Sequence, residues 1–249
     1  MTSSPLLTRP VEHAWSGHER SVLTRAALNS YPCGVGGPWT LEIHGSRVEL
    51  YERFDAPTWN HEGTGRDRVI ACGTAVACVA VAVRMLGWRP ETALLGDPSR
   101  ADTIATVTAR DRRRPSAADA RRFQAIFDHR PHRHTVDPSA LPVDLVDEIA
   151  QAGTMPGVWL VPLPAFTTAG RRHTPDPGLL VVTTSDSRRD QVLAGAALQE
   201  ASLAARARGL TVAPQTSPFQ FREFRQRVVR TRRPGGSPQL LLRLGRAEG

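Results

Sequence analysis

Lysine is absent from this chain: all 32 basic residues among its 249 are arginine, against 24 acidic residues, for a net charge of +8. Together with abundant Ala, Gly and Pro, this points to a GC-rich genome rather than to a dedicated cationic surface. Arginines cluster only at Asp111–Arg114, Arg121-Arg122 and Arg225–Arg233, and aromatic residues make up just 6% of the chain. Without aromatic side chains interleaved among the arginines there is no stacking surface for bases, so a nucleic-acid partner is not expected, whereas local anion binding is. Only three cysteines occur, Cys33, Cys72 and Cys78, an odd number without metal-ligand spacing, which argues against a disulfide framework. The longest apolar run, Val69–Val83, is fifteen residues, short of the roughly 20 a membrane span requires. The start MTSSPLLTRPVEH lacks the basic and apolar regions of a signal peptide. These absences favour a cytoplasmic protein with no membrane partner. No Ser-His-Asp or Cys-His arrangement suggests a nucleophile.

What the chain does have is an internal duplication. VIACGTAVACVAVAVRMLG (Val69–Gly87) is echoed by QVLAGAALQEASLAARARG (Gln191–Gly209) at an offset of 122 residues, which takes Gly73 to Gly195, Ala75 to Ala197, Ala82 to Ala204, Arg84 to Arg206 and Gly87 to Gly209. Each copy ends in a Gly suited to the left-handed residue after a helix. The preceding elements match as well. Helical Ser21–Ser30 leads to strands at Trp39–Ile43 and Arg47–Tyr51, and helical Leu141–Ala152 leads to strands at Val158–Leu163 and Leu179–Thr184. Two Ala-rich helices could resemble each other by composition alone, but order, spacing and terminal glycine agree together. The first copy is apolar all round and rich in small residues, as in a buried core helix. Cys72 and Cys78 would pack within it as small apolar residues. The two copies are expected to pack on each other at a pseudo-two-fold axis, with any ligand site between the halves.

The rest of the chain divides accordingly into an extension (1–18), a first half (19–110), a linker (111–117) and a second half (118–249). The stretch Thr108–Ala120, TARDRRRPSAADA, is poor in apolar residues and reads as a connection into a helix over Ala118–Phe127. Pro164–Gly178 reads as a surface excursion, and Arg230–Pro238 as a turn before a last strand, Gln239–Leu244.

The most chemically suggestive segment is DHRPHRHT, Asp128–Thr135. Its arginines supply permanently charged forked donors and its histidines shorter ones, a set suited to phosphate. A metal site on His129, His132 and His134 lacks a completing Cys or carboxylate pair, and a solvated basic loop is the plain alternative.

This loop stands before Pro138–Ala152, apolar strands, the helix Gln191–Gly209, APQTS at Ala213–Ser217, Arg222–Arg230 and PQLLLRLG at Pro238–Gly245. In that order the elements resemble the C-terminal half of the flavin-dependent nitroreductase family. GRDRVIACGTAVACVAVAVRMLGWRPETALL, after Val48-Glu49-Leu50, is similar to the double-length actinobacterial branch, the Acg-like proteins. The resemblance spans roughly residues 19 to 246 and implies an α+β fold of two pseudo-symmetric lobes, helices packed on mostly antiparallel sheets. It also implies FMN at the interface, with NAD(P)H as electron donor and a small-molecule acceptor. By the same resemblance His129, Arg130, Pro131 and Arg133 would hold the phosphate and ribityl chain. Pro214, Gln215, Thr216 and Ser217 would form a turn along the reactive face of the ring. Pro38 and Trp39 would close a covering loop, YPCGVGGPW (Tyr31–Trp39).

The sequence departs from the family in places. Val35 and Gly37 stand where the covering loop carries Asn and Gln, Pro131 replaces a small hydroxyl residue, and the stretch from Leu163 to Leu179 lacks a long helical insertion. No Arg-containing tail follows the last strand. Two function classes therefore stand: an FMN-dependent oxidoreductase moving hydride or electrons to an acceptor, and a catalytically degenerate relative that binds flavin or a protein partner without turnover. The pseudo-dimer would be a monomer or pair into a homodimer.

Overall fold

The computed structural model describes residues 13–30, 37–54, 64–95, 99–128, 136–137, 141–163 and 178–247. The first half runs α1 (Gly17–Leu28), β1 (Trp39–His44), β2 (Arg47–Glu52), α2 (Thr64–Met85), β3 (Trp88–Leu94) and β4 (Thr103–Arg112). After α3 (Ala117–Phe127) and β5 (Val136–Asp137), the second half runs α4 (Val143–Gly153), β6 (Val158–Leu163), β7 (Gly178–Thr183), α5 (Arg188–Arg206) and β8 (Thr211–Gln215). A 3-10 turn (Ser217–Gln220) and α6 (Arg222–Arg232) then precede β9 (Ser237–Ala247). Three helices begin in the same way. Ser16, Ser116 and Ser187 each accept from the backbone N–H three residues on, while Glu19, Asp119 and Asp190 reach back to the cap, so two otherwise unpaired donors are satisfied at each start.

Both sheets are antiparallel and share one strand order: β1-β2-β4-β3 in the first, β6-β7-β9-β8 in the second, with β5 added at the end of β9. Each carries a register shift in its central strand pair, at Leu50/Tyr51 and at Val181/Val182. The fold is therefore α+β with a duplicated lobe, as the sequence implies. Gly87 (φ 87°) and Gly209 (φ 73°) both adopt the left-handed conformation after their helices.

The lobes meet where α2 crosses α5. A Cβ on Gly73 would collide with the carbonyl oxygen of Val192, and one on Gly195 with that of Ile70. Ile70 and Val192 stand 122 residues apart, the same offset as the two glycines, so the crossing is reciprocal and the pseudo-two-fold axis passes through it. Only glycine permits this approach. The shared core follows: Val192 and Leu203 of α5 join the first lobe's cluster, and Ile70 of α2 joins the second's. At 22 residues α2 is longer than its apolar run suggests. It is long and apolar enough to cross a membrane, yet 83% of its most apolar window is buried inside the protein. Cys72 and Cys78 are buried and unbonded to each other.

Three segments differ from the sequence reading. Thr108–Arg112, read as linker, forms the end of β4, with Thr108 opposite Glu91 and Ala109 opposite Pro90. Its charges are paired across the strands: Arg110 with Glu91, Arg89 with Asp111 at 2.5 Å, and the Arg112 guanidinium 3.9 Å from the Trp88 ring centre. A mixed-charge string looks like a linker along the chain and like an ion-pair ladder across a sheet. Ala213–Gln215 is likewise strand rather than turn, paired to Arg243–Leu241. The turn placed at Arg230–Pro238 narrows to Arg233–Gly236, because α6 continues to Arg232 and Arg233 ends it in a left-handed conformation.

The halves are not equal. Between β8 and β9 the 3-10 turn and α6 cover the outer face of the second sheet, where Phe219, Phe224 and Val228 pack on Leu163, Leu180, Val182 and Leu241. In the first half no such helix lies between β3 and β4 among the described residues.

Candidate functional site between the lobes

The N-terminal turns of α2 and α5 carry Arg66 and Arg188, again separated by 122 residues. Each reaches across to the other half. Arg66 binds the Asp186 carboxylate and the Gln239 side-chain oxygen at the ends of the second sheet's central strands. Arg188 lies 2.9 Å from Glu52 at the end of β2. Glu52, whose side chain is only 1% exposed, also accepts from Arg68 Nε at 2.9 Å. Two guanidiniums from different halves thus share one buried carboxylate. The residue of β7 equivalent to Glu52 is Thr183, since Trp39 pairs with Glu52 as Val158 pairs with Thr183. There the neutral hydroxyl accepts from Gln239 Nε2 at 2.6 Å and donates to the Ser185 carbonyl at 2.6 Å.

Asp67 links the halves a second way. Its Oδ2 accepts from the Thr216 hydroxyl at 3.2 Å and from Gln220 Nε2, both in the segment after β8. Arg225 of α6 donates to Asp186 at 3.1 Å and to the Gln220 carbonyl at 3.0 Å. Burial sets the electrostatics. Desolvation raises the Asp67 carboxyl above its ordinary value, with the Gln220 and Thr216 hydrogen bonds and the Arg66 charge only partly offsetting it. Burial opposes ionisation of Asp186 too, but the hydrogen bond and charge of Arg66, the charge of Arg225 and the Gln239 amide outweigh it and hold the carboxyl low. Burial also lowers Arg66.

Of the residues singled out from sequence, Thr216 stands in this junction, bonded to Asp67. Pro214 and Gln215 lie in β8 opposite Leu242 and Leu241, and Ser217 is exposed at the start of the 3-10 turn. Trp39 is buried in the first lobe's core, and the Pro38 carbonyl accepts from Arg53 N–H at 2.8 Å and from the Cys72 thiol at 3.5 Å. His129, Arg130, Pro131 and Arg133 lie outside the described residues, as does Tyr31–Gly36 of the covering loop. Sequence reasoning missed Glu52, Arg66, Asp67, Asp186, Arg188, Gln220 and Gln239. The repeat offset was the available signal: carried three residues upstream of Val69, it pairs Arg66 with Arg188.

Among the described residues, three donors of this junction have no hydrogen-bond partner: Arg66 Nε, and Nε and Nη2 of Arg188. The same holds for two acceptors, Asp67 Oδ1 and Glu52 Oε2, the latter only ion-paired with Arg188. Buried polar groups are rarely left unpaired. Unpaired guanidinium donors and a carboxylate acceptor at one junction suit a ligand with both an anionic and an amide-like edge, as in a flavin mononucleotide, and the donor set fits that group in part.

No family profile matches the chain. Two curated relatives from Mycobacterium tuberculosis (strains CDC 1551 / Oshkosh and H37Rv), provisionally named NAD(P)H nitroreductases, are each 24% identical over 273 aligned positions, covering 84% of this chain and 79% of theirs. A crystal structure of a provisionally named nitroreductase from Anabaena variabilis superposes with a TM-score of 0.58 at 11% identity, over 81% of this chain and 69% of that one. The fold is that of the nitroreductases.

Proposed function

We propose that the chain is an FMN-dependent oxidoreductase of nitroreductase type, with the flavin held at the junction of the two lobes and NAD(P)H as electron donor. The observation that carries this reading is the set of buried, unpaired polar atoms at the starts of α2 and α5, Arg66 Nε, Asp67 Oδ1 and two nitrogens of Arg188, where side chains of both halves meet. Bound there, the flavin would supply the hydride and electron chemistry, while the protein positions it and tunes its electronics. The chain's own part is then definable. Arg188 would donate to an anionic or carbonyl edge. Thr216 and Gln220 fix the Asp67 carboxyl, and Asp67, raised by burial, holds a proton more readily than a solvated carboxylate. Arg66 with Asp186 and Gln239, and Glu52 with Arg68, lock the two helix starts in register. In this reading His129, Arg130, Pro131 and Arg133 take the phosphate.

The test is steady-state oxidation of NADH and NADPH by the FMN-loaded protein with a quinone or nitroaromatic acceptor. Turnover that falls in Arg188→Ala supports the reading; binding of FMN without turnover of either donor contradicts it. A second reading, a non-catalytic relative, draws on Trp39, which is buried in the first lobe's core. FMN binding without turnover is the outcome it predicts.

A further inference from the structure

We propose a separate nucleotide-binding groove on α6, with Arg222 and Arg230 holding the phosphates and Val229 and Pro238 carrying the apolar part of the ligand. The groove is an open concavity of about 640 Å³ lined by Asp186, Arg222, Arg225, Val229, Arg230 and Pro238, among others. That is the size range of small-molecule sites rather than of a polymer track.

Its charges are not equivalent. Arg225 is committed, donating to Asp186 and to the Phe219 and Gln220 carbonyls. Arg222 and Arg230 are exposed and make no ion pair among the described residues. The carboxylate that lines the groove, Asp186, is already shared by Arg66 and Arg225. The groove therefore presents two uncompensated guanidiniums, each a forked donor matched to phosphate oxygens.

Helical spacing places them on one face. Residues 222, 225, 226, 229 and 230 recur at three- and four-residue steps, so the arginines flank Val229, one of the few large apolar side chains left exposed (41%). Cations bracketing an apolar strip call for an amphipathic anion, an apolar ring system bearing phosphate. A nucleoside di- or triphosphate has that chemistry, and inorganic phosphate does not. α6 also departs from the pseudo-symmetry, since the first half has no counterpart between β3 and β4 among the described residues. The groove is thus an addition to the duplicated plan, and its proposal does not depend on flavin at the lobe junction.

Isothermal titration of the full chain with ADP, pyrophosphate and adenosine tests it. ADP should bind more tightly than pyrophosphate, and adenosine weakly. Arg222→Ala with Arg230→Ala should weaken ADP binding at least tenfold. Arg227→Ala, which removes an exposed charge from the same helix outside the groove, should leave it within about twofold. All three positions are exposed, so thermal melting should stay near wild type; Arg→Gln versions provide a second set should it not. Equal loss in the Arg227→Ala control would mean a diffuse cationic field and would overturn the assignment, as would pyrophosphate binding as tightly as ADP. Competitive displacement of ADP by FMN would make the groove the flavin's own phosphate site and would equally overturn a separate one.

Discussion

Gly73 and Gly195 act through what they lack. Each side chain would have to occupy space held by a carbonyl of the opposite helix, so Gly73→Ala or Gly195→Ala must push α2 and α5 apart along a packed core. Such overpacking costs roughly 1–3 kcal/mol or more, and urea unfolding should register it for either variant. Glu52 is the second such position. Glu52→Ala would leave Arg68 and Arg188 without their shared carboxylate, and the loss should approach the lower end of the roughly 3–5 kcal/mol of a broken buried pair, because Arg188 retains some solvent contact. The two junction aspartates should respond oppositely to pH. Asp186 is held below its ordinary value, so its contribution is fully present above the ordinary carboxylate range and disappears as pH falls through its depressed folded value. Asp67 is raised, so ionising it opposes folding once pH climbs past the ordinary range. Asp186→Asn should lower stability at pH 7 and flatten the acid side of the stability curve. Asp67→Asn should leave neutral-pH stability intact or improved. Denaturant midpoints at pH 3, 5 and 7 distinguish the two.

At the level of elements, the sequence announced what is periodic and repeated. The long helices α2 and α5, their terminal glycines, α3 and the strands β1, β2, β6, β7 and β9 were legible because apolar patterning, or the offset of 122, marked them. β3 and β4 were not, because Trp88–Leu94 contains a proline and the end of β4, Thr108–Arg112, is mostly charged. Their stability comes from partners across the sheet that no local window contains. α6 was equally hidden, with only Val228 buried and its exposed face mostly polar and charged. The site followed the same division. Thr216 was found through family order, whereas Arg66, Glu52 and Asp186 come together only when the lobes dock. The capping boxes give an element-scale check: Ser187→Ala removes the cap at the start of α5, next to Arg188, and should cost about 1 kcal/mol by thermal melting.

For the whole molecule, the identical strand orders and reciprocal glycine crossing describe two lobes that bury one another's central helix. α2 has no polar face, so residues 1–112 expressed alone should be insoluble or lack a cooperative melt; a stable fragment would contradict the shared core. The central claim is that this junction holds a flavin. Arg130→Ala or Arg133→Ala, at positions proposed for the phosphate, should each weaken it by about one to two orders of magnitude, given roughly 1.5–3 kcal/mol per charge-assisted contact. The most direct measurement is quenching of FMN fluorescence on titration with the purified chain, set beside Arg188→Ala. Saturable quenching by the wild type, weakened in Arg188→Ala and reversed on denaturation, is the predicted result. A wild-type protein that leaves FMN fluorescence unchanged, or an Arg188→Ala variant that quenches as well as wild type, would contradict a flavin site between the lobes.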